Sequence, residues 1–292
     1  MSRIELTFGT RTWLMGIINV TPDSFSGDGL ATPGRSPAQI VAAALEQARA
    51  FVDTGAQILD VGAESTRPAS VYGDRPPVEE DEEAALAIPV VAALARAFDG
   101  RALVSIDTTK GSVARAALAA GARIVNDVWA ARHDPGTAEA ASAAGAHLVL
   151  MHNAESSVYP DGVVPAVIGW LREAVSAAQE LGVPRWRLIV DPGIGFAKTP
   201  EQSIELLHRL AEIKAALELP LLVGTSRKRF IGQILDGAPP EQRVEGTAAT
   251  VALAIAAGAD IVRVHDVAHI SRTMRVADAI VRFQPRSGSA KG

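Results

Sequence analysis

Eight short β-branched runs alternate with eight longer Ala/Leu-rich segments along this chain, and that alternation constrains its fold more than any other feature. The strand-like runs cover residues 14–19, 58–62, 103–107, 124–127, 148–152, 188–191, 221–224 and 261–265. The helical segments cover 38–53, 79–98, 112–120, 137–144, 166–181, 201–217, 244–257 and 268–282. Eight such units in 292 residues predict one α/β domain, a single (β/α)8 TIM barrel spanning residues 13–283. Gly55-Ala56, Gly121-Ala122, Gly145-Ala146 and Gly258-Ala259 mark helix ends, where glycine takes the left-handed cap. No linker divides the chain, and residues 284–292 read as a frayed tail.

Composition removes several functions. With no cysteine there is no disulfide framework, thiolate metal site or cysteine nucleophile. A formal net charge of −5 offers no basic field to nucleic acid or an anionic membrane. The most apolar stretch, 247–259, is too short to span a bilayer, and Glu5 interrupts any signal-peptide core, so a cytoplasmic location is expected. The acidic run Glu79-Glu80-Asp81-Glu82-Glu83 reads as a solvated first helical turn rather than a cation site.

Strand parity locates the chemistry. Side chains alternate along a strand, so Ile261, Arg263 and His265 share one side while Val262 and Val264 suit the helix-facing side. The same rule groups Leu103, Ser105 and Asp107; Ile124 with Asn126; Ile189 with Asp191; and Met15 and Ile17 with Asn19. Polar residues thus end five strands at the same end of each, which in a barrel is the functional face. The long stretches 21–37 and 65–78, after strands 1 and 2, fall on that face as lids. Arg263 and His265, with the run Ser226-Arg227-Lys228-Arg229 after strand 7, suit an anion such as phosphate, and Arg67 can close over it. Arg227 and Arg229 read equally well as a basic helix start in water. Asp107, Asn126 and Asp191 form an acceptor-rich set suited to a flat ring with adjacent N–H donors, such as an aminopyrimidinone. A glycosidase pair is disfavoured, because 4 Trp and 2 Tyr are few for a sugar cleft. His265-Asp266-Val267-Ala268-His269 imitates a zinc motif, but its first histidine sits at a strand end rather than on the helix.

Seven segments then form an ordered series. They are Met15-Gly16-Ile17-Ile18-Asn19-Val20-Thr21-Pro22-Asp23-Ser24-Phe25-Ser26, Asp60-Val61-Gly62-Ala63-Glu64-Ser65-Thr66-Arg67-Pro68, Ser105-Ile106-Asp107-Thr108, Asn126-Asp127-Val128, Asp191-Pro192-Gly193-Ile194-Gly195-Phe196, Ser226-Arg227-Lys228-Arg229-Phe230 and Arg263-Val264-His265-Asp266-Val267. Together the series resembles the dihydropteroate synthase family. That family joins 6-hydroxymethyl-7,8-dihydropterin diphosphate to p-aminobenzoate, giving 7,8-dihydropteroate and diphosphate. The resemblance implies that Asp107, Asn126 and Asp191 hold the pterin, with Lys228 at its other polar edge. It implies that Arg67, Arg263 and His265 hold the diphosphate and Asn19 ligates Mg2+. Thr66 matches a substrate-contacting position, and Phe25, Ser26, Pro68, Phe196 and Ser226 match the aminobenzoate surroundings. It further implies a homodimer.

This chain departs from the family pattern at Gly27-Asp28-Gly29, Ala63, Ala69, Trp129-Ala130-Ala131 and the segment after Met151-His152. Trp129 reads as either a stacking surface or an obstruction near the pterin slot. Two rival readings remain: a pterin-binding methyltransferase acting on methyltetrahydrofolate, which needs no diphosphate set, and a pterin-binding paralogue without turnover.

Overall fold

The computed structural model describes residues 4–21, 29–64 and 78–283. In its first half, β1 (Trp13–Asn19) leads to α1 (Pro37–Thr54), β2 (Ile58–Gly62) to α2 (Glu80–Ala97), β3 (Leu103–Asp107) to α3 (Gly111–Ala119), and β4 (Ile124–Asp127) to α4 (Gly136–Ala144). In the second half, β5 (His147–Met151) leads to α5 (Val163–Glu180). β6 (Leu188–Asp191) leads to α6 (Pro200–His208) and α7 (Leu210–Leu217), β7 (Leu222–Val223) to α8 (Arg229–Ile234) and α9 (Val244–Ala256), and β8 (Ile261–Val264) to α10 (Val267–Val281). The strands pair in parallel in the order β6-β5-β4-β3-β2-β1-β8-β7. A parallel bridge between Val190 and Leu221 joins the two ends of that order, so the sheet closes almost fully into a barrel with helices outside.

Local chemistry explains the element ends. Ser36 caps α1 in a capping box with Gln39, and Pro37 supplies the fixed φ of a first helical residue. Thr199, Gln202 and Pro200 repeat the device at α6. Alternation along the strands then builds two cores. Outward residues such as Ile18, Leu59, Val61, Ile106, Leu148 and Val190 pack beneath the helices, with Leu14, Val262 and Val264 against α9 and α10. Inward residues Trp13, Met15, Ile58, Ile124, Val149, Ile189, Leu222 and Ile261 form a separate apolar plug inside the barrel. Each large apolar side chain so buried contributes roughly 1.5–3 kcal/mol. The plug closes the barrel from below, and polar inward positions lie above it, toward the carboxyl ends of the strands. Among the described residues, no helix is long and apolar enough to cross a membrane.

Three expectations need correction. The acidic run is exposed only as far as Glu82, for Glu83 turns inward and is fully buried. Its carboxylate and that of Glu64 both take Lys110 Nζ at 2.5 Å, which offsets part of the burial cost. The helix expected over 201–217 breaks at Arg209 into α6, packed on α5 and α8, and α7, packed on α5. The eight helical segments omit the short helix α8, which starts at Arg229, where the basic run also reads as a helix start. The tail beyond residue 283 lies outside the described residues.

The first turns of α3 and α4 meet at two glycines. A Cβ on Gly111 would lie 2.6 Å from the Gly136 Cα and 2.9 Å from Asp134 Oδ2. Backbone cannot yield as a flexible side chain can, so Gly111→Ala should destabilise the protein by about 2 kcal/mol or more, read from its urea midpoint.

Candidate functional site

Above the plug, the inward positions of five strands bring Asp60, Ser105, Asp107, Asn126, Asp191 and Arg263 toward one mouth. Arg263 is the hub. Its Nε donates to Asp60 Oδ2 at 2.6 Å and its Nη2 to Asp107 Oδ2 at 2.6 Å, while Asn126 Nδ2 donates to Asp60 Oδ2 at 3.1 Å. One guanidinium therefore ties β8 to β2 and β3 across the barrel. The sequence assigns Arg263 to a bound anion such as phosphate; in the structure it lies among the carboxylates of Asp60 and Asp107. Its inward position demanded an anionic partner, and the chain itself supplies two.

The cluster is not saturated. Asp60 Oδ1, Asp107 Oδ1 and Ser105 Oγ are buried and have no hydrogen-bond partner among the described residues. Native structures rarely leave buried acceptors so, and an unpaired set at a barrel mouth suits a ligand that brings donors. Burial raises the Asp107 pKa well above the usual carboxylate range; Arg263 opposes the shift, and the nearby charges of Asp60, Glu83 and Asp127 add to it. Burial also raises that of Asp191, against the Gly193 N–H, Lys228, Arg263 and Lys198. Arg263 goes the other way: burial disfavours its charge, but Asp60 and Asp107 outweigh burial and raise its pKa.

The turn after β6 builds the opposite wall. Gly193 donates its N–H to Asp191 Oδ1 at 2.7 Å. It has φ +66°, and a Cβ there would run into the His152 carbonyl, so only glycine fits. Phe196 follows, with the Lys228 ammonium 4.0 Å from its ring centroid. Ser226 Oγ accepts from the His265 backbone N–H at 3.1 Å and lies 3.0 Å from His265 Nδ1. Arg227 is bound through two nitrogens to Asp266, at 3.0 and 2.6 Å, and Arg229 faces solvent at the start of α8. The run after β7 thus sends Ser226 and Lys228 toward the mouth and uses its arginines elsewhere. Asn19 stands half-buried at the end of β1. Phe25, Ser26, Thr66, Arg67 and Pro68 lie outside the described residues.

The sequence reading missed Asp60, His152 and Lys198. Asp60 carries a usable signal, because it sits two residues after inward Ile58. His152 and Lys198 carry none, since their juxtaposition at 2.9 Å is made by packing of separate loops. Trp129 stacks on His133 with centroids 4.1 Å apart, held by its N–H to Asp127 Oδ1 at 2.8 Å.

His152 supplies a pH test. Burial, then Lys198, lowers its pKa to about 3. A folded-state pKa below the free value of 6.5 gives a stabilising contribution present above pH 6.5 and lost as pH falls toward 3. The His152 imidazole should therefore remain neutral at pH 5 in an NMR titration, while His152→Phe should flatten the loss of stability between pH 6 and 4.

A family model described as "Pterin binding enzyme" matches residues 15–265. The dihydropteroate synthase of Bacillus subtilis is 45% identical over 276 residues, covering 94% of this chain and 91% of that protein. That of Synechocystis is 44% identical over 281 residues, covering 94% and 92%. A crystal structure of the Clostridium difficile dihydropteroate synthase with pteroic acid superposes with a TM-score of 0.86 at 41% identity, covering 95% of this chain and 100% of that one. The Xanthomonas albilineans enzyme with 4-aminobenzoic acid gives 0.83 at 38% identity, covering 94% of each. On its sequence, its barrel and its mouth of paired charges, this chain belongs to the pterin-binding enzyme family, among the dihydropteroate synthases.

Proposed function

We propose that the chain condenses 6-hydroxymethyl-7,8-dihydropterin diphosphate with p-aminobenzoate, releasing diphosphate and forming 7,8-dihydropteroate. One observation carries the reading: at the barrel mouth the buried Asp60 Oδ1 and Asp107 Oδ1 have no hydrogen-bond partner among the described residues. The aminopyrimidinone edge of a pterin carries the adjacent N–H donors that such a set needs. Asp107, Asn126 and Asp191 take that edge, and Lys228 meets the ring's other polar side. Arg263 has Nε and Nη2 on the aspartates; with His265 and Arg67 it takes the diphosphate. Phe25, Ser26, Thr66, Pro68, Phe196 and Ser226 surround the p-aminobenzoate.

The reaction proceeds by polarisation. The bond from the pterin methylene carbon to the diphosphate oxygen breaks, and its electron pair leaves with the diphosphate. Positive charge on the methylene spreads into the ring, where Asp107 and Asp191 stabilise it by hydrogen bonds that strengthen as the charge grows. The amine lone pair of p-aminobenzoate forms the new C–N bond, and the ammonium proton passes to solvent or diphosphate. No protein nucleophile is needed, in keeping with a chain that has no cysteine. Mg2+ suits this set in one way: Asn19 offers a hard amide oxygen at the rim, and Mg2+ is commonly held by one or two protein oxygens plus substrate phosphates. When bound it would add positive charge at the leaving group.

We extend the proposal to a cytoplasmic homodimer. Leu253 on α9, Val276 and Ile280 on α10, and Phe283 just beyond are large apolar residues left in water. They suit a symmetric contact between copies.

Purified protein with the pterin diphosphate, Mg2+ and labelled p-aminobenzoate should yield labelled dihydropteroate; bound pterin without product would overturn the synthase reading. Arg263→Ala should lower kcat/KM by roughly 10^2–10^3. Ile280→Glu should shift sedimentation to the monomer while leaving the fold's circular dichroism unchanged.

A further inference from the structure

One lysine with no role in the preceding assignments is built into the floor of the site. Lys198 ends the turn after β6, directly before the Thr199 cap of α6. Its Nζ lies 2.9 Å from His152 Nδ1 and 2.8 Å from the Phe196 carbonyl oxygen. A Cβ on Gly193 would be 3.3 Å from that ammonium, so the lysine head lies over the tight turn that orients Asp191. The His152 backbone N–H donates to the Asp191 carbonyl at 2.9 Å, and its buried ring packs against Tyr159 and Trp170. Tyr159 in turn donates its hydroxyl to the Ala197 carbonyl at 2.9 Å. The segment from Asp191 to Lys198 is thereby pinned at both ends, and Lys198 is the point where its pterin-facing carboxylate and its aromatic ring are joined.

The charges around Lys198 come from every neighbouring element. Asp191 on β6 attracts it and Lys228, ahead of α8, repels it. His152 after β5 is neutral, and Arg132, from the segment after β4, bears on His152. Arg263 on β8 acts on Asp191 from the other side. Tyr159 is also neutral, its pKa pushed up to about 12 by burial. Loss of water around the ammonium pulls Lys198 down to about 7, despite Asp191.

We infer that Lys198 is a positioning residue that links the two substrate pockets: its ammonium holds the Phe196 carbonyl and the His152 ring in place, and its charge keeps Asp191 ionised for the pterin. The inference rests on the reading of Asp191 and Phe196 proposed above. It separates charge from shape by pH. Below pH 7 Lys198 is charged, so replacing it withdraws a cation from Asp191 and raises that carboxylate's pKa further. Above pH 8 the lysine is largely neutral, and the same replacement withdraws little charge.

The test measures binding of 6-hydroxymethylpterin by calorimetry from pH 5.5 to 9, for the wild type, Lys198→Met, Lys198→Arg and Asp191→Asn. KM for p-aminobenzoate and kcat are measured alongside. Lys198→Met should weaken pterin binding about five-fold at pH 6 and less than about two-fold at pH 8.5, as expected for a rise of roughly one pKa unit on an Asp191 carboxyl at about 6. It should also raise KM for p-aminobenzoate at both pH values, and Lys198→Arg should restore most of the pH 6 affinity. Should Lys198→Met fail to fold, Lys198→Gln reads the same difference, for it keeps a donor to Phe196 and lacks the charge. A loss equal at both pH values, or no loss at all, overturns the inference while Asp191→Asn still abolishes pterin binding. Undiminished binding by Asp191→Asn overturns the site reading and this inference with it.

Discussion

The Arg263 guanidinium, lodged between Asp60 and Asp107 at the mouth of a barrel that is apolar below, is the interaction on which the site depends. A buried ion pair gains little net stability, because desolvating the charges offsets most of their attraction. Here the count is also uneven, with one guanidinium between two carboxylates. Burial, and after it the neighbouring carboxylate charges, raises the Asp107 pKa, and Asp60 Oδ1 and Asp107 Oδ1 meet no donor among the described residues. Such a cluster is a poor way to hold a barrel together and a good way to hold a cationic transition state. The barrel is held by other means, the outer cores under the helices and the plug of Met15, Ile58, Ile124 and Ile189. That plug also keeps water from reaching the charges from below, so they act on a ligand at low dielectric.

The parts legible in the sequence were those governed by short periods. Period-two alternation places Arg263, Asp107, Asn126 and Asp191 inward, because the apolar residues between them claim the helix-facing side. Asp60 obeys the same rule, yet it passed as one letter of a motif. Glu83 was misread because four neighbouring acids do face water, and only tertiary packing against Lys110 selects the fifth. The break at Arg209 has no proline or glycine to announce it. Least legible was the contact of Lys198 with His152: the residues are 46 apart in sequence, and neither belongs to a period.

The same geometry revises how the two halves of the proposed reaction communicate. If cations and anions faced each other across open space, each half of the substrate would be stabilised independently. Arg263 instead binds Asp60 and Asp107 through Nε and Nη2, so in the proposed reaction one guanidinium serves both Asp107, which takes the pterin, and the leaving group. As positive charge builds on the pterin, Asp107 is drawn to the ring and its hold on the guanidinium weakens. The arginine is then the better donor to the diphosphate at the moment negative charge accumulates there. Stabilisation at one end of the breaking bond thus releases stabilisation to the other. A lysine, with one compact charge and no planar fork, cannot serve both partners. That is a chemical reason for arginine at the centre of this mouth, independent of any need for an anion site alone.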